Sequence, residues 1–360
     1  MGPDSLPLLG ALAGLTVLAP VLAAALWDRG RRRGRTAVRV ATTALCLLTL
    51  ASTVLVAANR QAETYPSWSD LLGSSQGRQA VPADPRSAQD RAPGRFVTIR
   101  VTGAASGVSL PVLAYLPAAY DAAPDLRFPV VEAFDGFPGS PGSWIRGLGV
   151  AGFLDGEISA GRMAPTVVLF PPQTTDPAVD TECTNLAGGP RMESFLTVDV
   201  PAAARAQLRV RGDRAGWGVI GYSAGGYCAA NLLLRHPGTY AAGASLSGYA
   251  DPGIRVGDGS ETTTNDDLWR LRHLSLPAVA LYLSCARTDL HAMRDETALA
   301  ALAHAPISLT TAFLPVGGHN MQTWRALEPS AFDWLSSWLA APTTTGARAV
   351  AVPVHPLPPR

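Results

Sequence analysis

An α/β fold, with a mostly parallel central sheet and helices on both faces, is what this sequence predicts, and three observations carry the prediction. Short apolar runs alternate with helix-forming stretches from residue 95 to about 340. One of those runs leads straight into a Gly-x-Ser-x-Gly turn followed by a helix. Two uncharged stretches near the N-terminus stand outside the alternation and predict two transmembrane helices ahead of the domain.

Those stretches are Leu6 to Trp27 and Val40 to Ala58. Each is close to the ~20 residues that cross a bilayer as a helix. Neither has a polar face, which argues against two buried core helices. Between them Arg29, Arg31, Arg32, Arg33 and Arg35 form a short basic segment, with Arg39 just beyond. Such a segment stays in the cytoplasm, so the N-terminus and everything after Ala58 are expected outside it, with the chain held at the cell membrane. With a start near Arg31, the second stretch would instead be a signal peptide ending at Val56-Ala57-Ala58. Either reading exports the rest of the chain. Residues 1–59 are thus assigned to the membrane hairpin and 60–94, rich in Ser, Gln, Asp, Arg and Pro, to a linker. Residues 95–340 make one domain, and 341–360 read as an unstructured tail. The formal net charge of +1 gives no reason to expect a nucleic-acid partner.

Within the domain, Phe96 to Val101 and Leu110 to Leu116 are the leading strands. Phe128 to Phe134 and Pro165 to Phe170 follow as buried strands, then an amphipathic helix over Glu193 to Leu208. Trp217-Gly-Val-Ile220 is apolar and runs into Ser223. Helix-forming residues then continue to Arg235 and stop at His236-Pro237-Gly238. Ala241 to Leu246 and Pro277 to Cys285 are strands, and Arg294 to His304 is a helix. Ile307 to Leu314 is the last strand, and Pro329 to Leu339 closes the domain as a helix.

Strand, Gly221-Tyr-Ser223-Ala-Gly225 and helix come in the order of the nucleophile elbow of an α/β-hydrolase. The turn is so sharp that a Cβ at Gly221 or Gly225 would strike a neighbouring element. A serine hydroxyl needs a base within hydrogen-bond reach and a carboxylate to hold that base, here in the chain order Ser, acid, His. His319, in Gly317-Gly-His319-Asn after the last strand, is the predicted base. Asp289, just past the strand ending at Cys285, is the predicted acid; Asp295 and Glu296 on the next helix remain rivals. His291 suggests no metal site, because no second ligand has suitable spacing, and no cofactor is predicted. Ala224 and Phe137 are the expected backbone N–H donors to an oxyanion, Phe137 because the glycine-rich loop after Phe134 can turn its amides inward. Pro138 has no N–H to offer. Three of the four cysteines are exported, so one is left over. Cys183 with Cys228 is the favoured disulfide, since Cys228 opens the helix behind Ser223 and the Cys183 loop leaves a nearby strand end. Three buried thiols are the alternative.

With these motifs in place, the region from about 95 to 340 resembles the esterase D and feruloyl esterase branch of the α/β-hydrolases, which includes the secreted mycolyltransferases of mycobacteria. Asp135-Gly136-Phe137, with Trp144 following, is similar to the oxyanion loop of those mycolyltransferases. Asp180-Thr-Glu-Cys-Thr-Asn185, Gly221 to Cys228 and Leu246-Ser-Gly248 look closer to membrane-anchored esterases of actinobacteria. The resemblance implies a serine carboxylesterase acting through an acyl-enzyme on a small-molecule, lipid or glycan ester. An acyltransferase moving the acyl group to a sugar or glycerol is the alternative, and a non-catalytic surface protein on the same scaffold is the second. In the mycolyltransferases the acid is a glutamate on a helix, which keeps Glu296 in play.

Overall fold

The computed structural model describes residues 2–3, 5–28, 32–62, 68 and 93–344. The linker expected over 60–94 lies almost wholly outside the described residues, as does the tail beyond Thr344. Helices α1 (Leu6–Leu26) and α2 (Arg32–Ala62) are both long and apolar enough to cross a membrane. They pack on each other through small and polar residues, with Thr16 Oγ1 2.9 Å from Thr53 Oγ1. Leu15, Leu18, Leu48 and Leu55 face outward, as they must if lipid is the solvent. Arg39 joins the two helices near the basic segment by an ion pair to Asp28 at 2.9 Å.

The domain is built on eight strands: β1 (Arg95–Val101), β2 (Leu110–Leu116), β3 (Val130–Phe134), β4 (Val167–Phe170), β5 (Trp217–Tyr222), β6 (Ala242–Leu246), β7 (Ala280–Ser284) and β8 (Ser308–Thr311). Their spatial order is β1-β2-β4-β3-β5-β6-β7-β8. The run from β4 to β8 is parallel, while β2 is antiparallel to both its neighbours. Side chains alternate across the sheet, so Val130, Phe134 and Val219 enter one core and Val131, Ala133 and Ile220 the other. Helix α5 (Ala224–Arg235) covers the first face and α8 (Met321–Trp338) the second. This is the α/β-hydrolase architecture, with β5 at the centre delivering residue 223 to the carboxyl edge of the sheet.

Several predicted boundaries need correction. The helix expected from Arg294 begins at Leu290 as α7 (Leu290–Leu302), because Asp289 caps it with its own side chain on Ala292 N. Asp295 and Glu296 therefore sit past the first turn, buried, and His291 lies on the helix, not in a loop. The closing helix starts at Met321, eight residues before Pro329, because Asn320 accepts from both Gln322 N and Thr323 N at 3.0 Å. The helix expected over Glu193 to Leu208 is present from Met192 to Gln207, running without interruption through a wide π turn at Phe195–Asp199 into α4 (Val200–Gln207), which carries Pro201 in its first turn. Helix α3 (Val150–Ser159) and α6 (Asp267–His273) were not predicted; Gly152 and Gly156 mask the first. At the expected tail, Thr343–Thr344 pairs antiparallel with Leu126–Arg127 as a short second sheet.

Candidate active site

Ser223 follows the last residue of β5 and stands immediately before α5, with φ 57° and ψ −125°. A non-glycine residue in this region costs about 1–3 kcal/mol, and the surrounding packing holds it there. A Cβ on Gly221 would come within 1.9 Å of Gly225 O, and one on Gly225 within 2.3 Å of Phe134 O. Both glycines are therefore sterically required by the turn. Ser223 N donates to Leu246 O at 2.9 Å, tying the elbow to β6.

Three polar side chains from separate loops meet here. Ser223 Oγ lies 2.7 Å from His319 Nε2, and His319 Nδ1 lies 2.9 Å from Asp289 Oδ2. Asp289 accepts on that oxygen, so the imidazole carries its proton on Nδ1 and presents the Nε2 lone pair to the serine hydroxyl. The loop that carries His319 is clamped twice. Gly317 N donates to Thr288 Oγ1 at 2.9 Å, and Gly318 N donates to Thr323 Oγ1 at 2.9 Å. Thr288 is the residue next to Asp289, so His319 and Asp289 are registered to one another through adjacent positions.

The rival carboxyls go elsewhere. Glu296 Oε1 accepts from Ser245 Oγ at 3.1 Å and from Gly248 N at 3.2 Å, and burial holds its carboxyl well above the usual range. Asp295 accepts from Ala250 N and pairs with Arg294. Both brace the loop after β6, and neither faces the imidazole. His236, at the far end of α5, pairs with Glu193 at 2.7 Å.

On the other side of the serine, Gly136 presses against it: a Cβ there would stand 3.0 Å from Ser223 Cβ. The Asp135-Gly136-Phe137 loop thus runs alongside the nucleophile position, where sequence reasoning wanted oxyanion donors. A disulfide joins Cys183 to Cys228, binding the loop before Glu193 to the first turns of α5. Cys285 is a buried free thiol.

Sequence reasoning missed Tyr249. Its hydroxyl lies 2.8 Å from His319 Nε2, and its ring stacks on the imidazole at 5.5 Å between centroids. Two hydroxyls therefore address one lone pair. The only local signal is that Tyr249 follows Ser247-Gly248 at the carboxyl end of β6, the edge where functional side chains collect.

Residues 104–338 match the family model for Esterase. The chain belongs to that family. A curated relative, an uncharacterized protein of Corynebacterium glutamicum, is 26% identical over 243 residues; the match covers 62% of this chain and 56% of the relative. The chain thus spans about half the length of the curated relative it matches. Among solved structures, the chain is similar to a ferulic acid esterase, with TM-score 0.59 and 15% identity over 69% of this chain and 99% of that one. It is similar also to an S-formylglutathione hydrolase from Agrobacterium tumefaciens, with TM-score 0.57 and 14% identity over 69% and 96%. A fluorophosphonate-binding serine hydrolase of Staphylococcus aureus aligns with TM-score 0.55 and 14% identity over 68% and 99%. At these identities the likeness is one of fold.

Proposed function

We propose that this esterase is a serine carboxylesterase that works through an acyl-enzyme on an extracytoplasmic ester. The observation that carries the reading is the unbroken hydrogen-bond chain from Ser223 through His319 to Asp289. Ser223 Oγ attacks the ester carbonyl while His319 Nε2 takes the hydroxyl proton. Asp289 keeps the ring in the tautomer with Nδ1 protonated and stabilises the imidazolium that forms. The Ala224 and Phe137 amides receive the oxyanion. His319 then returns the proton to the leaving alkoxide, and a water activated by the same ring releases the acid. Membrane attachment through α1 and α2 and an outside location for the domain are supported by the basic segment between the helices. The Cys183–Cys228 disulfide, which persists in oxidising compartments, supports the same orientation.

Hydrolysis of p-nitrophenyl acetate by the wild type and by Ser223→Ala tests the reading. A burst of p-nitrophenol in the wild type alone is the expected result. Equal turnover by both proteins would overturn it. Adding glycerol or a sugar separates water from an alcohol as the acceptor: a glyceryl or glycosyl acetate among the products would mark acyl transfer.

A further inference from the structure

Beside the nucleophile lies a cavity of about 130 Å³ whose lining includes Gly136, Phe137 and Ala224 together with three carboxyl groups, Asp135, Asp180 and Glu182. None of the described residues lining it is a lysine, arginine or histidine. Two of the acids are almost wholly enclosed, Asp135 at 4% and Glu182 at 8% exposure. Among the described residues, each has a buried oxygen with no hydrogen-bond partner, Asp135 Oδ1 and Glu182 Oε2. An enclosed carboxyl oxygen with no donor is expensive, and proteins rarely leave one so. Here two such oxygens belong to residues lining one small cavity, and a third acid lines it with them.

The chain commits structure to keeping them there. Glu182 and Cys183 both hold positive φ, 42° and 53°, and Cys183 is bonded to Cys228 on α5. Asp180 Oδ1 accepts from Glu182 N at 3.1 Å, turning the two acids into the same short loop. Gln173 Nε2 donates to Asp135 O at 2.9 Å and fixes the opposite wall. Burial pushes Asp135 up to about 7, and burial together with the nearby Asp180 and Asp251 carboxyls holds Glu182 well above the usual range.

We propose that this cavity is a recognition subsite for a compact ammonium group, so that the preferred substrate is an ester bearing a positively charged nitrogen a few bonds from its carbonyl. The inference rests on the serine esterase reading, since Ala224 and Gly136 connect the cavity to the position of the ester. A hydroxyl could donate one hydrogen bond to these acids but would not favour their ionised form, which burial opposes. An ammonium supplies donors and charge together. The volume suits a small protonated amine, which keeps at least one N–H to donate, and excludes a long side chain. The amine can reach the cavity from the acyl side, as in an aminoacyl ester, or from the alcohol side, as in a dimethylaminoethyl ester.

Two isosteric pairs distinguish these sources: alanyl-glycerol against 2-methylpropanoyl-glycerol, and protonated 2-(dimethylamino)ethyl acetate against 3-methylbutyl acetate. kcat/KM for each is measured on the full-length wild type, on Glu182→Gln and on Asp180→Asn. In one pair the preference for the charged ester is expected to fall by about tenfold or more in the variants, as for other desolvated charge pairs. The neutral partner reports any general loss in each variant, and the ratio of charged to neutral ester is the readout. Because the intrinsic reactivity of each ester is the same for all three proteins, only the change in preference is read. Unchanged preference in both pairs, or an equal loss on charged and neutral esters, would overturn the subsite. If the wild type hydrolyses no ester and takes no fluorophosphonate label, it is the esterase reading that fails.

Discussion

On the His319 side of Ser223, hydrogen bonds run without a gap from Ser223 Oγ to His319, to Asp289 and on to Ala292 N. On the Asp135 side, acids are enclosed with oxygens unmatched, and a disulfide does the holding that hydrogen bonds do opposite. Both flanks are buried, and both are built from loops at the carboxyl edge of the same sheet. The difference teaches that burial of carboxyls serves two purposes in one site. Asp289 is paired inside the chain and is ready before substrate arrives. Asp135 and Glu182 are completed only by something from outside, so stability is given up locally where recognition is wanted.

The comparison is most easily broken at its paired flank. Asp289→Asn keeps a capping oxygen for α7 but presents the wrong partner to His319 Nδ1, so kcat should fall by roughly 10⁴-fold with the fold intact. Glu296→Gln, a carboxyl of similar burial on the same helix, should change kcat by no more than about threefold, since it touches none of the reacting groups. Steady-state hydrolysis by the two variants checks this. A comparable collapse in Glu296→Gln would return the acid to the rival position.

The unpaired flank depends on its covalent tie. Removing it with Cys183→Ser and Cys228→Ser opens a loop of 45 residues' separation. The loss is about 4 kcal/mol by chain-entropy reasoning. Tm should then fall by roughly 10 °C. Thermal unfolding under oxidising conditions measures it, and an unchanged Tm would show that the Glu182 loop is held by packing alone.

A pH profile sharpens the same contrast. The folded-state value for Asp135 is raised to about 7 by burial from an ordinary value near 3.8. A carboxyl raised on folding contributes stability that is complete below the unfolded value and is lost as pH climbs through the folded one. Between about pH 4 and 7, therefore, the wild type should lose stability relative to Asp135→Asn, which carries no titrating group there. Denaturant titrations of both proteins across that window read the difference. Parallel profiles would mean that Asp135 is matched in solution. The smallest effect belongs to Tyr249. If its hydroxyl and that of Ser223 share the Nε2 lone pair equally, Tyr249→Phe should raise the rate of fluorophosphonate labelling roughly twofold. A marked fall would give the phenol a supporting part in the chemistry.

What was legible in the sequence follows the range of the forces involved. Leu110 to Leu116 was read to the residue, because an unbroken apolar run ending at Pro117 is marked out by its own composition. The elbow and the glycine-flanked His319 were legible because steric demands at Gly221, Gly225 and Gly317 leave a mark in the chain. A helix start set by a capping side chain was read late twice, at Asp289 and Asn320, where function and turn residues hid the cap. Tyr249 left only its place after β6, and the two acidic stretches gave no sign that they would enclose one cavity. They exist only once β4, β3, β5 and β6 lie side by side, and a single sequence carries no record of that adjacency.

Peptide mass spectrometry after exposure of the full-length protein to a fluorophosphonate tests the central claim most directly. A covalent adduct on the peptide containing Ser223, absent from Ser223→Ala and strongly reduced in His319→Ala, is the result expected. Folded wild-type protein that stays unlabelled, or that carries the adduct on Ser247 instead, would contradict it.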